Sequence, residues 1–214
     1  FKPIFSKNDI KKLAFWMATG SGKTFLMQIN YLQFMKYNKG KHKIQFDNIL
    51  LVTPTESLSK QHIDEMKRSS IPCEIFSSQS IGPMSQYSES NVIKVIDIHK
   101  LTDEKSGTGV TVDIENFGRK NLLFVDEGHK GSGGKKWKFF REELSKEGFA
   151  FEYSATFDQA VASATGTDAI DILNKYGKSI LFDYSYRFFY KDGYGKQYSI
   201  LNLKDREYSE STRH

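Results

Sequence analysis

The sequence predicts an α/β fold, a mostly parallel sheet covered by helices on both faces. Three observations carry this. Short apolar runs alternate with segments of helical length from about residue 11 to residue 156. The apolar runs are nearly continuous rather than alternating, as strands buried on both faces must be. The segments richest in glycine, hydroxyl and acidic residues all fall just after an apolar run, where such sheets place their ligands.

The first strand is Leu13-Ala14-Phe15-Trp16-Met17, followed by Ala18-Thr19-Gly20-Ser21-Gly22-Lys23-Thr24. A helix is expected over residues 25–32, which carry an apolar stripe at helical spacing. Strand, glycine loop, Lys-Thr and helix is the order a phosphate-binding loop needs. Gly20 and Gly22 let the backbone curl so that the N–H groups of Thr19 to Thr24 face phosphate oxygens, helped by the positive end of the helix. In this reading the ligand is ATP with Mg2+: Lys23 reaches the β- and γ-phosphates and the Thr24 hydroxyl holds the metal. Met17 stands where the common pattern has its first glycine. A bare glycine turn before a helix, with Lys23 merely solvated, is the simpler alternative. The preceding strand and the acidic pair downstream weigh against it.

Residues 37–43 read as a basic, solvated connector. A buried strand over 48–52 leads into Thr53-Pro54-Thr55, and a helix is expected over 56–68 with Thr55 or a neighbour as its N-cap. Residues 73–76 form a short strand whose Cys73 reads as a core residue, and 77–90 a loop. Residues 92–97 form a further strand, and 98–101 start a helix. Residues 102–118 read as a mobile loop or insertion. The most apolar strand, 121–125, ends in Asp126-Glu127-Gly128-His129. A flexible basic stretch over 130–136, a helix over 137–146 and a strand over 149–153 follow, the last ending at Ser154-Ala155-Thr156.

The acidic pair completes the site. Asp126 serves Mg2+ and Glu127 is the base for the attacking water, because phosphoryl transfer asks the protein for positioning and charge rather than covalent chemistry. An acidic helix start is the plainer reading of such a pair. His129 lacks companions at zinc spacing and reads as a polar coupling residue. Ser154 and Thr156 can hydrogen-bond back toward Glu127 or His129, or simply cap the strand end. Residues 180–190 are dense in aromatics, either a packing segment or hairpin, or a stacking surface for nucleic acid.

In order, Ala18 to Thr24, Thr53-Pro54-Thr55, Asp126-Glu127-Gly128-His129 and Ser154-Ala155-Thr156 resemble motifs I, Ia, II and III of superfamily 2 helicases and translocases. Gly128 replaces the more common alanine of the acidic box. The flanks Phe15 to Gly20 and Asp126 to Gly131 are similar to the motor subunit of type III restriction enzymes. The resemblance implies a RecA-like P-loop domain over residues 1–160, with 161–214 its end and a linker toward a second motor domain. It implies ATP hydrolysis coupled to movement on DNA, Thr53 and Pro54 near the sugar-phosphate backbone, and His129, Ser154 and Thr156 coupling hydrolysis to motion. The implied partners are duplex DNA, the second motor domain and a modification subunit. An RNA helicase motor domain and an ATP-gated interaction module are the alternative readings.

Bulk properties agree without deciding. The chain has 214 residues, 38% hydrophobic and 14% aromatic, enough to bury a core. The net charge of +5 permits a polyanionic partner and does not demand one. The lone Cys73 excludes an intrachain disulfide and suits a reducing cytoplasm, and no apolar run is long enough for a bilayer. With no initiator Met, the chain is expected to be a fragment of a longer protein, weakly active without the arginines of a second motor domain. No constellation outside the ATP site suggests a nuclease.

Overall fold

The computed structural model describes residues 11–76, 91–102, 112–126, 134–155 and 180–195. The strands are β1 (Lys12–Met17), β2 (Ile49–Thr53), β3 (Cys73–Ile75), β4 (Ile93–Asp97), β5 (Leu101–Thr102), β6 (Val112–Asp113), β7 (Leu122–Asp126), β8 (Phe149–Ser154) and β9 (Ile180–Tyr184). The helices are α1 (Lys23–Tyr37), α2 (Glu56–Arg68), α3 (Gly134–Leu144) and α4 (Tyr186–Lys191). Among the described residues, seven strands form one sheet in the order β3-β4-β2-β7-β8-β1-β9, and every pairing in it is parallel. The expected α/β architecture is therefore the one observed.

The side-chain period of two divides the strands between two cores. Ile49 and Leu51 of β2 face Met27 and Tyr31 of α1 and Ile63 and Met66 of α2. Leu50 and Val52 face the other way, into a cluster with Phe140 and Leu144 of α3. β2, β4 and β7 are buried at every position, which is why each reads as an unbroken apolar run. β3, at one edge, is short and half open to solvent.

Several segments differ from expectation. α1 runs on to Tyr37, beyond the apolar stripe, and ends in one wide helical turn, Asn38–His42, inside the expected connector. Asn38 stops it: its amide donates to the Ile44 carbonyl (2.8 Å) and its side-chain oxygen accepts from Ile44 N–H (2.7 Å). The expected helix start at residue 98 is a single 3-10 turn, Ile98–Lys100. Residues 114–117 are not a loose loop. They form a 3-10 turn, Ile114–Phe117, opened by Asp113, whose carboxylate accepts from Glu115 N–H (3.0 Å). Phe117 is 2% exposed and packs on Phe76 with ring centroids 4.4 Å apart. Burying that ring outweighs the local glycine and serine signal. The loop reading of residues 77–90 and most of that of 102–118 lies outside the described residues. α3 starts three residues before the expected position, extending through lysines that favour helix, and stops at Leu144. Cys73 is half-buried rather than core, with its thiol directed at the Ile63 carbonyl.

The aromatic segment near the end of the chain is not a hairpin. β9 adds to the sheet parallel to β1, with Phe15 opposite Phe182 and Met17 opposite Tyr184, and α4 follows it directly. The Asp192–Gly195 turn signal falls at the end of α4, where Gly193 has φ +86°.

Candidate functional site

Four neighbouring strands, β2-β7-β8-β1, end in the four motifs singled out above. Their carboxyl ends therefore bring Thr53, Asp126, Ser154 and the loop after Met17 to one rim of the sheet. The register fixes the order: Asp126 is opposite Tyr153, and Ser154 is opposite Trp16.

The loop between β1 and α1 is a tight turn. The Ala18 carbonyl accepts from both Ser21 N–H (3.2 Å) and the Ser21 hydroxyl (2.7 Å). Gly20 at φ +80° and Gly22 at φ +96° lie in the left-handed region, and a Cβ at either would meet no atom of the described residues within 4 Å. The turn thus demands glycine for its backbone shape, and the space in front of it is open. Gly22 is the N-cap of α1, offers no side-chain acceptor, and is followed by no acidic residue in the first turn. α2 is built the opposite way: Thr55 caps it by accepting from Leu58 N–H (3.3 Å), and Glu56 stands in its first turn. α1 thus begins with no side-chain cap and with its positive dipole end at the glycine turn, whereas α2 has one of its first N–H groups capped by Thr55. Lys23 and Thr24 occupy the first turn of α1 and are partly buried.

Asp126 ends β7 and is 7% exposed. Its Oδ2 lies 2.9 Å from Nε2 of His62, a residue of α2 that is 3% exposed. The sequence reading did not single out His62. The available signal was its register: it falls on the same helical stripe as Ser59, Ile63 and Met66, a polar ring in the face turned to the core. The Thr24 hydroxyl and the Asp126 carboxylate are hard oxygen donors. They fit a magnesium ion that takes its remaining ligands from phosphate and water. Among the described residues no group of three or more His, Cys, Asp or Glu forms a metal cage.

Thr53 is fully buried and its hydroxyl is engaged, 2.6 Å from the Ser59 hydroxyl and 3.1 Å from the Thr55 carbonyl. Its side chain shapes the turn into α2 and reaches no surface, whereas Pro54 is half-exposed and Thr55 exposed. Ser154 is fully buried at the end of β8. Trp16 Nε1 donates to the Ala155 carbonyl (3.1 Å), tying the chain after β8 to β1. Beside it, the Tyr153 hydroxyl accepts from the Asn30 amide (2.7 Å), and burial pushes this phenol far above its ordinary range. Glu127, His129 and Thr156 lie outside the described residues. Phe182, Tyr186, Phe188, Tyr190 and Tyr194, on β9, α4 and the turn after it, are all exposed. No described helix is long and apolar enough to cross a membrane.

No curated protein matches the chain. Solved structures similar to it include the Pyrococcus furiosus Hef helicase domain (16% identity, TM-score 0.44, 80% of this chain and 34% of that one). Others are the UvsW helicase from Bacteriophage T4 (15%, 0.44, 76% and 51%) and Mss116p bound to ssRNA and AMP-PNP (17%, 0.47, 81% and 36%). The chain thus spans a third to a half of the length of those structures. The family model described as "Type III restriction enzyme, res subunit" matches residues 4–159, well over half of the chain, and the chain belongs to that family.

Proposed function

We propose that this chain is the ATP-hydrolysing first motor domain of a DNA translocase of the restriction type. Family membership supplies the coarser part, a helicase-type ATP-binding motor domain. The observation that carries the rest is the pairing of an uncapped, glycine-started helix α1 with the carboxylate of Asp126. The two sit at the same rim of the sheet with only β8 between their strands. One side offers an anion site and the other a metal-binding oxygen.

In this reading the N–H groups from Thr19 to Thr24, Ser21 included, cradle the phosphates of ATP, and Lys23 neutralises the β- and γ-phosphates. Thr24 and Asp126 would hold magnesium, which would supply positive charge to offset that of the phosphates. Glu127 takes the proton of the water that attacks the γ-phosphate, with ADP as leaving group. His129, Ser154 and Thr156 couple this step to movement, Ser154 from within the core at the end of β8. With the Thr53 hydroxyl engaged internally, the exposed chain at Pro54 and Thr55 is what meets the sugar-phosphate backbone, a contact that positions a strand without reading sequence. A second motor domain supplies arginines that stabilise the transition state, worth about 10³–10⁵ in rate. A modification subunit is the further partner.

The test is ATP hydrolysis by the full-length protein with no polynucleotide, with duplex DNA and with single-stranded RNA. Stimulation by duplex DNA is expected. Stimulation by RNA alone would move the protein to RNA helicases, and none by either would make it an ATP-gated interaction module.

A further inference from the structure

His62 lies outside every motif considered above, yet it is the described residue that holds the metal-side carboxylate. Its Nε2 is 2.9 Å from Asp126 Oδ2, and its Nδ1 is buried with no partner among the described residues. A proton on Nδ1 would bury an N–H with no acceptor, which costs more than a bare lone pair in the same place. A carboxylate only accepts, so in this pair the ring donates from Nε2 to Asp126. This bond engages Oδ2 and fixes the plane of the carboxylate.

We propose that His62 is a positioning residue for the metal-binding carboxylate: it fixes the orientation of Asp126 and so sets the affinity of the site for magnesium-bound triphosphate. The inference rests on the reading of Asp126 as a magnesium ligand. Partners that orient a ligating group matter because a carboxylate free to rotate loses entropy each time it coordinates. His62 is well anchored for the task. Its helix is capped at Thr55, and its neighbours Ser59, Ile63 and Met66 are all buried. α2 thereby joins the turn at Pro54-Thr55 to the carboxylate at the rim, over about two helical turns.

The experiment measures binding of a fluorescent, non-hydrolysable ATP analogue to the full-length protein as magnesium is raised from zero. His62→Leu is expected to raise the half-saturating magnesium concentration about 10- to 100-fold. It should leave binding in excess EDTA unchanged. His62→Gln, which retains a donor of similar reach, should recover most of the loss. An unaltered magnesium dependence in His62→Leu, or an equal loss with and without magnesium, would overturn the proposal and leave His62 a packing residue. If the wild-type protein binds the analogue with no magnesium dependence at all, the reading of Asp126 fails first and the inference with it. Should His62→Leu not fold, nitrogen NMR of the wild-type ring decides. The Nε2–H tautomer with a resonance that moves on adding magnesium and analogue is expected. An Nδ1–H tautomer, or a resonance indifferent to magnesium, would overturn it.

Discussion

At the scale of single residues, the site separates binding from turnover. Lys23 stands in the first turn of a helix that has no side-chain cap, and in the proposed reading its charge acts with the backbone N–H groups on the same phosphates. Removing it in Lys23→Ala should weaken triphosphate binding about 10- to 100-fold, the worth of one hydrogen bond to a charged group. Glu127→Gln should do the reverse. It keeps shape and binding, and it lowers turnover about 10²- to 10⁴-fold by removing the base. Equilibrium binding and single-turnover hydrolysis, measured on both variants of the full-length protein, check the pair. Unchanged binding in Lys23→Ala would sink the phosphate-loop assignment, and normal turnover in Glu127→Gln would reassign the base.

At the scale of elements, α2 shows what a local sequence specifies. Thr55 as N-cap, Glu56 in the first turn and the basic Lys67 and Arg68 in the last are start and stop signals readable in order, and the helix spans the residues expected of it. Thr55→Ala should cost about 0.5–2 kcal/mol of stability, seen as a lower urea midpoint with an unchanged slope. A midpoint equal to that of the wild type would mean the cap is replaced by water. The strands were legible for a related reason: β2, β4 and β7 are buried on both sides and cannot carry polar residues except where a partner waits. What was not legible depends on distant partners. The bond from His62 to Asp126 spans 64 positions in the chain; the helical stripe turns His62 to the core, but nothing near either residue names its partner. Phe117 sits among glycines and charges, and it is core because the fold brings it into a cluster with Phe76 and Phe140. In the candidate site, the loop and the acidic strand end were readable because their chemistry is local. The burial of Thr53, whose hydroxyl bonds to Ser59, was not.

At the scale of the whole molecule, the sheet sets how far the domain extends. β1, which carries the phosphate loop, is flanked by β8 on one side and β9 on the other. β9 pairs with it at four register positions, and the Tyr184 carbonyl accepts from Ala18 N–H (2.9 Å), the first residue of the loop itself. Phe182 also lies against Phe15. The last described strand of the sheet thus lies beyond residue 160, and it braces the turn that would hold the phosphates. A chain cut at residue 160 leaves β1 as an edge strand with one side of its backbone unpaired. Losing that ladder, at about 0.5–1.5 kcal/mol per bond, should remove about 2–4 kcal/mol of stability. The loop should lose definition with it, so triphosphate affinity should fall as well. Comparing urea unfolding and nucleotide binding for chains ending at residue 160 and at residue 195 measures both effects. Equal stability and equal affinity would place the end of the domain before β9 and reduce that strand to a loosely attached linker. A loss of both would make β9 part of the motor domain, and the aromatic segment that follows it would then lie beside the nucleotide site.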